Sequence, residues 1–244
     1  MKIRVINPNT TASMTAKIGA AASAVAAPGT HIDAVQPSFG AGSIEDHLDD
    51  VWAAAGVAEQ VRLGEAAGAD AHVIACFGDP GLHAAREIAS GPVIGIAEAA
   101  FHAATLLATG FSVVTTLTRT CVIAEHLVLQ YGFERRCKGI HGTDIAVLEL
   151  DDPASDAYAR IRDTAGAALQ RDRSGAIVLG CAGMADLCSR LQRELGVPVI
   201  DGVAAAVKLA ESLVALGLRT SKRGDYAAPI AKPYAGIAAP FAPG

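Results

Sequence analysis

One cysteine-bearing segment occurs twice in this chain. Around Cys76 it reads HVIACFGDPGLHAAREIASGPVIGIAEAA, and around Cys181 it reads AIVLGCAGMADLCSRLQRELGVPVIDGVAAA. Each copy has an apolar run, then Cys-x-Gly, then a Leu six residues after the cysteine (Leu82, Leu187). A helical stretch with an arginine follows (Arg86, Arg190), and then Pro-Val-Ile (Pro92 to Ile94, Pro198 to Ile200). A fold that houses this sequence must accommodate one βα unit twice, and a duplicated α/β unit packs naturally about a pseudo-two-fold axis. That packing would set two equivalent thiols across one cleft.

The rest of the chain extends the repeat. In the first half, apolar and β-branched runs predict strands near Ile3–Ile6, His31–Val35, Ala71–Ala75 and Val93–Ile96. Helical patterns lie near Ser13–Ala26, Asp50–Ala67, Leu82–Ser90 and Ala97–Thr109. The second half repeats the order, with strands near Phe111–Thr115, Gly139–His141 or Ile145–Leu148, Ala176–Leu179 and Val199–Ile200. Its helices lie near Arg119–Tyr131, Ala154–Gln170, Met184–Leu195 and Val203–Leu216. Alternating elements with apolar strands imply an α/β protein of parallel sheets covered by helices. The expected domains are 1–96 plus about 204–244, and 97–203. From Ala227 onward the chain is rich in Ala, Pro and Gly without apolar periodicity, and reads as an extended tail on the surface or against a neighbouring subunit.

Composition removes several function classes. The net charge of −5 carries no basic run, which argues against a nucleic-acid partner. Ala99 to Thr118 lacks Asp, Glu, Lys and Arg, but its His, Thr, Ser and Gly residues suit a buried helix, a Gly110 cap and a strand better than a membrane span. The start MKIRVINPNTT lacks the apolar core of a signal peptide. Five cysteines, an odd number, then point to a reducing, cytoplasmic compartment rather than a disulfide framework. There is no C-x-x-C pair and no His/Cys spacing that suits zinc, so no metal is expected.

In parallel sheets, ligands bind beyond the carboxyl ends of the strands. Four such ends carry small polar or reactive residues, two from each half: Asn7 to Thr11, Cys76-Phe77-Gly78, Thr115 to Thr118, and Cys181-Ala182-Gly183. Two thiols facing a substrate from opposite sides can remove a proton from one face and return one to the other. That is racemase or epimerase chemistry, and it requires no metal or organic cofactor. A cysteine between a strand and a helix N-terminus is expected to have a lowered pKa, and the following glycine leaves its amide free for a substrate carbonyl. Asp79-Pro80 reads as N-cap and first residue of the helix after Cys76. A carboxylate there opposes ionisation of Cys76, which leaves Cys181 with the larger thiolate fraction. Cys121, Cys137 and Cys188 have no counterpart in the other half and read as small core residues, as do His72 and His102. Ser43 and Ile44 sit in a Gly-rich loop expected to cover the cleft.

These motifs resemble the aspartate/glutamate/hydantoin racemase superfamily, and within it the hydantoin and allantoin racemases. The resemblance runs over nearly the whole chain: VINPNTT, IACFGDPGL, PVIGIAEAA, SVVTTLTRT, AIVLGCAGMADL, VPVIDGVAAAVKLAESLVALGL and TSKRGDY. In the amino-acid racemases of the superfamily the first cysteine is typically followed by Asn-Thr, whereas here Phe77-Gly78 follows. The resemblance implies two four-stranded parallel α/β domains related by a pseudo-two-fold axis, with the site between them. It further implies catalysis without pyridoxal phosphate, using Cys76 and Cys181 to exchange the C5 proton of a hydantoin ring. Substrate contacts would come from Asn7, Ser43, Ile44, Phe77, Gly78, Thr116, Leu117, Ala182 and Gly183, and the assembly would be a homo-oligomer, a tetramer or hexamer. The stretches around ATGFSVVTTLTRT and EHLVLQYGF, with Cys137, look closer to allantoin racemases, and broader 5-substituted hydantoins are the alternative substrates. A non-catalytic two-lobed binding protein, or a decarboxylase or cis–trans isomerase of the same superfamily, would differ in leaving the substrate C–H intact or in releasing CO2 or moving a double bond.

Overall fold

The computed structural model describes residues 1–152 and 154–243. Among these residues eight strands alternate with eight α-helices: β1 (Lys2–Ile6), α1 (Ala12–Val25), β2 (His31–Val35), α2 (His47–Ala66), β3 (Ala71–Ile74), α3 (Leu82–Ile88), β4 (Val93–Gly95) and α4 (Ile96–Leu107), followed by β5 (Phe111–Thr115), α5 (Cys121–Gln130), β6 (Cys137–Gly142), α6 (Ala157–Asp172), β7 (Ala176–Leu179), α7 (Cys188–Leu195), β8 (Val199–Ile200) and α8 (Gly202–Ala215). They form two four-stranded, all-parallel sheets of identical topology, β2-β1-β3-β4 and β6-β5-β7-β8. The central strands β1, β3, β5 and β7 are almost wholly buried, as their near-continuous Val/Ile/Ala runs require when helices cover both faces.

The last helix of each half crosses to the other sheet. Ala97, Ala100, Phe101 and Ala104 of α4 pack with Phe111, Val113, Ala176 and Val178 of the second sheet. Reciprocally, Val203, Ala206, Val207 and Ala210 of α8 pack with Ile3, Val5, Ala71 and Val73 of the first. The two helices meet each other where they start. A Cβ on Gly202 would lie 2.5 Å from the carbonyl oxygen of Ile96 and 3.0 Å from its Cβ, so this close approach requires glycine. Fully buried Phe101 stacks on Phe111 with ring centroids 5.3 Å apart and meets Phe77 edge-on at 5.7 Å. This aromatic cluster extends from the second lobe to the residue following Cys76.

Several boundaries differ from the sequence reading. Helix α2 begins at His47 rather than Asp50, because Asp46 caps it by accepting from the amides of Leu48 and Asp49, each at 3.0 Å. Ile145–Leu148 forms no strand: β6 is Cys137–Gly142, and Val147–Asp151 is a 3-10 turn. The helix expected from Met184 is a 3-10 turn over Ala182–Leu187 before α7. Gly110 does not cap α4, which ends at Leu107. His102 is exposed, at the edge of Phe133, whereas His72 is fully buried. The tail folds back over the first lobe: Thr220 and Lys222 donate to carbonyls of Gly91 and of α3, and Phe241 meets Phe39 edge-on. No helix among the described residues is long and apolar enough to cross a membrane.

Replacing Gly202 with valine drives a side chain into the Ile96 backbone, which cannot move aside. The variant is expected to lose about 2 kcal/mol of stability, read as a lower urea midpoint with an unchanged denaturant slope.

Candidate functional site

Both sheets reverse strand order at their centres, between β1 and β3 and between β5 and β7. The crevice beyond a parallel sheet opens at such a reversal, and here the two crevices face one another. They share one cleft of about 650 Å³, part of it open to solvent. Asn7 and Asn9 reach it from beyond β1, Cys76 to Gly78 from beyond β3, Thr115 and Thr116 from β5, and Gly180 to Ala182 from beyond β7. Met14, Ile44, Ile123 and Val147 make much of the remaining wall apolar.

Of the expected contacts, Asn7, Ile44, Phe77, Gly78, Thr116 and Ala182 line the cleft together with Cys76 and Cys181. Ser43, Leu117 and Gly183 stand outside the lining. The Leu117 carbonyl instead receives the hydroxyl and amide of Thr120, and Gly183 lies behind Cys181, whose sulfur is 3.6 Å from the point a Cβ there would occupy. Asn9, one of the strand-end residues Asn7 to Thr11, also lines the cleft, and so does Asp50, which the sequence did not single out. Asn9 acts with Asn7: the Asn7 amide donates to Asn9 Oδ1 at 2.8 Å and to Thr15 Oγ1 at 2.9 Å, and Thr11 N donates to Asn9 Oδ1 at 2.9 Å. The two asparagines thus rigidify the turn from β1 into α1.

A family model described as "Asp/Glu/Hydantoin racemase" matches residues 3–210. The chain belongs to this racemase family. It is accordingly an isomerase. It is 49% identical to a hydantoin racemase of Rhizobium meliloti over 97% of this chain and 98% of that one. Its backbone matches an allantoin racemase from Klebsiella pneumoniae at a TM-score of 0.97 and 60% identity, covering 100% of this chain and 99% of the other. An allantoin racemase from Pseudomonas fluorescens matches at 0.93 and 42%, covering 97% and 100%.

Electrostatics distinguish the two halves of this racemase fold. Cys76 follows β3, but α3, the helix next in sequence, starts only at Leu82, six residues on. Surrounded by protein, the thiol is pushed up from 9.0 to about 12, chiefly by burial. The Gly78 amide donates to it and opposes the rise, while charge on Cys181, Asp50 and Asp79 adds to it. The expected lowering is therefore absent at Cys76, and the Gly78 amide is engaged with sulfur.

Asp79 does not cap the helix that follows it, which has Gly81 at that position. Held at a positive φ of 44°, it caps α4 from a distance, accepting from Ala97 N and Glu98 N at 3.0 Å each, with Tyr131 Oη donating at 2.9 Å. Its carboxyl carbon lies 2.2 Å from where a Cβ on Gly95 would sit. The corresponding residue of the second copy is Asp201, which caps α8 directly through Val203 N and Ala204 N. In the first copy Gly95 leaves room for a carboxylate supplied from the cysteine loop.

Two outcomes follow. Cys121, Cys137 and Cys188 are raised by burial, like Cys76. A Cys181→Ser protein should therefore show little thiolate ultraviolet absorbance as the pH approaches the ordinary thiol value of 9.0. Cys76→Ser removes a thiol that stays protonated in that range, so it should retain the wild-type signal, and a marked loss of signal would contradict this. Burial also raises the Asp79 carboxyl from 3.8 to about 7, so the folded state holds its proton more tightly than the unfolded chain. The stability this contributes is complete below 3.8 and lost as pH rises to about 7. The stability difference between wild type and Asp79→Asn, from urea midpoints, should change in that direction over that window and be flat above it.

Proposed function

We propose that this enzyme racemises 5-substituted hydantoins, with allantoin as the preferred substrate, by two-base proton exchange at C5 between Cys76 and Cys181. The observation that carries this reading is that equivalent strand ends of a duplicated unit each deliver one thiol to a single cleft. The C5 hydrogen of a hydantoin lies next to a ring carbonyl, so its removal gives an enolate. One cysteine, as thiolate, takes the C5 proton and becomes a thiol. The other, as thiol, protonates the opposite face and becomes the thiolate, and the pair has exchanged roles.

Cys76, with its raised pKa, is the proton donor in the free enzyme, which assigns the first abstraction to Cys181. The substrate's second enantiomer meets the pair in the exchanged state. No group other than the two thiols needs to change its protonation, so the proposed cycle uses neither metal nor organic cofactor. Similarity to both hydantoin and allantoin racemases supports the substrate class, and the 60% identity with the Klebsiella protein supports allantoin within it. A broad-specificity racemase of 5-alkyl and 5-aryl hydantoins is the alternative. Self-assembly as a tetramer or hexamer belongs to the same reading and is measured by light scattering.

One enantiomer of allantoin in D2O, followed by polarimetry and proton NMR against a control without protein, tests the proposal. Optical rotation should be lost as C5 acquires deuterium. Cys76→Ser and Cys181→Ser should each slow both signals by about two to four orders of magnitude beyond the control, the usual contribution of a positioned acid or base. Undiminished exchange in either variant would refute the two-thiol mechanism.

A further inference from the structure

Among the described residues, Asp50 is the only ionisable side chain besides the two thiols in the lining of the cleft. Its neighbours at the start of α2 are fully occupied. Asp46 receives the amides of Leu48 and Asp49, and the Asp49 carboxylate receives the amide of Glu45 at 3.0 Å. These two residues complete the N-terminal cap, while the Asp50 carboxylate accepts no hydrogen bond from any described residue. The side chains of Asn7, Asn9, Thr115 and Thr120, also in the lining, bond to the protein around them.

The position of Asp50 relative to the chemistry is specific. Its Oδ1 lies 3.4 Å from the point a Cβ on Gly78 would occupy, and the sulfur of Cys76 lies 4.0 Å from that same point. Carboxylate and thiol therefore border the same small volume, with the Ile123 side chain at 3.8 Å as its third wall. A ligand whose reacting carbon sits at the thiol must place part of itself against Asp50. An ionised carboxylate can only accept hydrogen bonds, and burying it against an apolar group without donors carries a large desolvation cost.

We infer that Asp50 is the residue that sets substrate specificity, its two oxygens receiving the N–H groups of a urea-type substituent at C5 of the hydantoin. The two N–H groups on either side of a urea carbonyl point the same way, and they match the two oxygens of a carboxylate as a bidentate pair. A 5-alkyl or 5-aryl substituent offers no donor and would strand the carboxylate. A site built to hydrogen-bond a substrate group discriminates strongly against analogues that lack it. The inference rests on the hydantoin racemase reading and refines it, since it decides between the two substrate groups named there.

The test compares wild type, Asp50→Asn and Asp50→Leu by kcat/KM on allantoin and on 5-isopropylhydantoin, with C5 deuteration as the readout for both. Asp50 is partly exposed and makes no hydrogen bond, so neither variant removes a contact on which the fold relies. Expected in both variants is a fall of about 100-fold or more in the preference for allantoin over the isopropyl compound, read as the ratio of their kcat/KM values, and for Asp50→Leu an inversion of that preference. An equal fall on both substrates would overturn the inference and place Asp50 as an electrostatic neighbour of Cys76, whose ionisation serves every substrate alike. No fall on either would also overturn it. Wild-type protein inert on both compounds would overturn the racemase reading itself, and this inference with it.

Discussion

The contact on which the architecture depends is the crossing of α4 and α8 at Ile96 and Gly202. These residues are equivalent in the two copies of the repeat, so the helices meet on the pseudo-two-fold axis itself. Their backbones approach closely enough that a side chain on Gly202 would strike the Ile96 carbonyl at 2.5 Å. From that crossing each helix lays its alanine-rich face on the opposite sheet. The orientation of one sheet to the other, and so the facing of the two crevices, follows from this one contact. The cleft is the space left between two lobes clamped at their shared base.

The two copies have diverged where the chemistry demands difference. At equivalent positions before these helices stand Gly95 and Asp201, and both helices are nevertheless capped by a carboxylate. Moving the cap from the helix to the cysteine loop ties Cys76 to α4 and, through Tyr131, to α5 of the other lobe. The loop carrying Cys181 does not supply the cap of α8, which comes from Asp201. A near-symmetric scaffold thereby gives its two thiols unlike surroundings, one of them pressed by negative charge from Asp50 and Asp79.

Much of the fold was legible because it depends on periodicity and repetition. The Val/Ile runs ending in Cys76 and Cys181 mark β3 and β7, and the shared Pro-Val-Ile marks β4 and β8. Features that depend on distant partners were not legible. The adjacency of Asp79 and Pro80 is a strong local signal for a helix start, yet the acceptor's true partners lie eighteen and nineteen residues away. Cys76 is near a helix in sequence, but a loop intervenes, and burial decides its proton affinity. Asp50 stood in the sequence only as the start of an expected helix; the occupancy of Asp46 and Asp49 in the cap leaves its carboxylate to the cleft. Leu117 and Gly183 adjoin residues that do face the cleft, but turns point them elsewhere.

The exchange of helices between lobes has a consequence for how the chain comes into being. During synthesis the first sheet is complete once β4 has emerged, but one of its faces is covered only by α1 until α8, more than one hundred residues later, leaves the ribosome. The helix that follows β4 directly is meanwhile committed to a sheet not yet made. The amino-terminal half therefore emerges with one core in place, between its sheet and α2 and α3, and the other awaiting a helix from the far end of the chain.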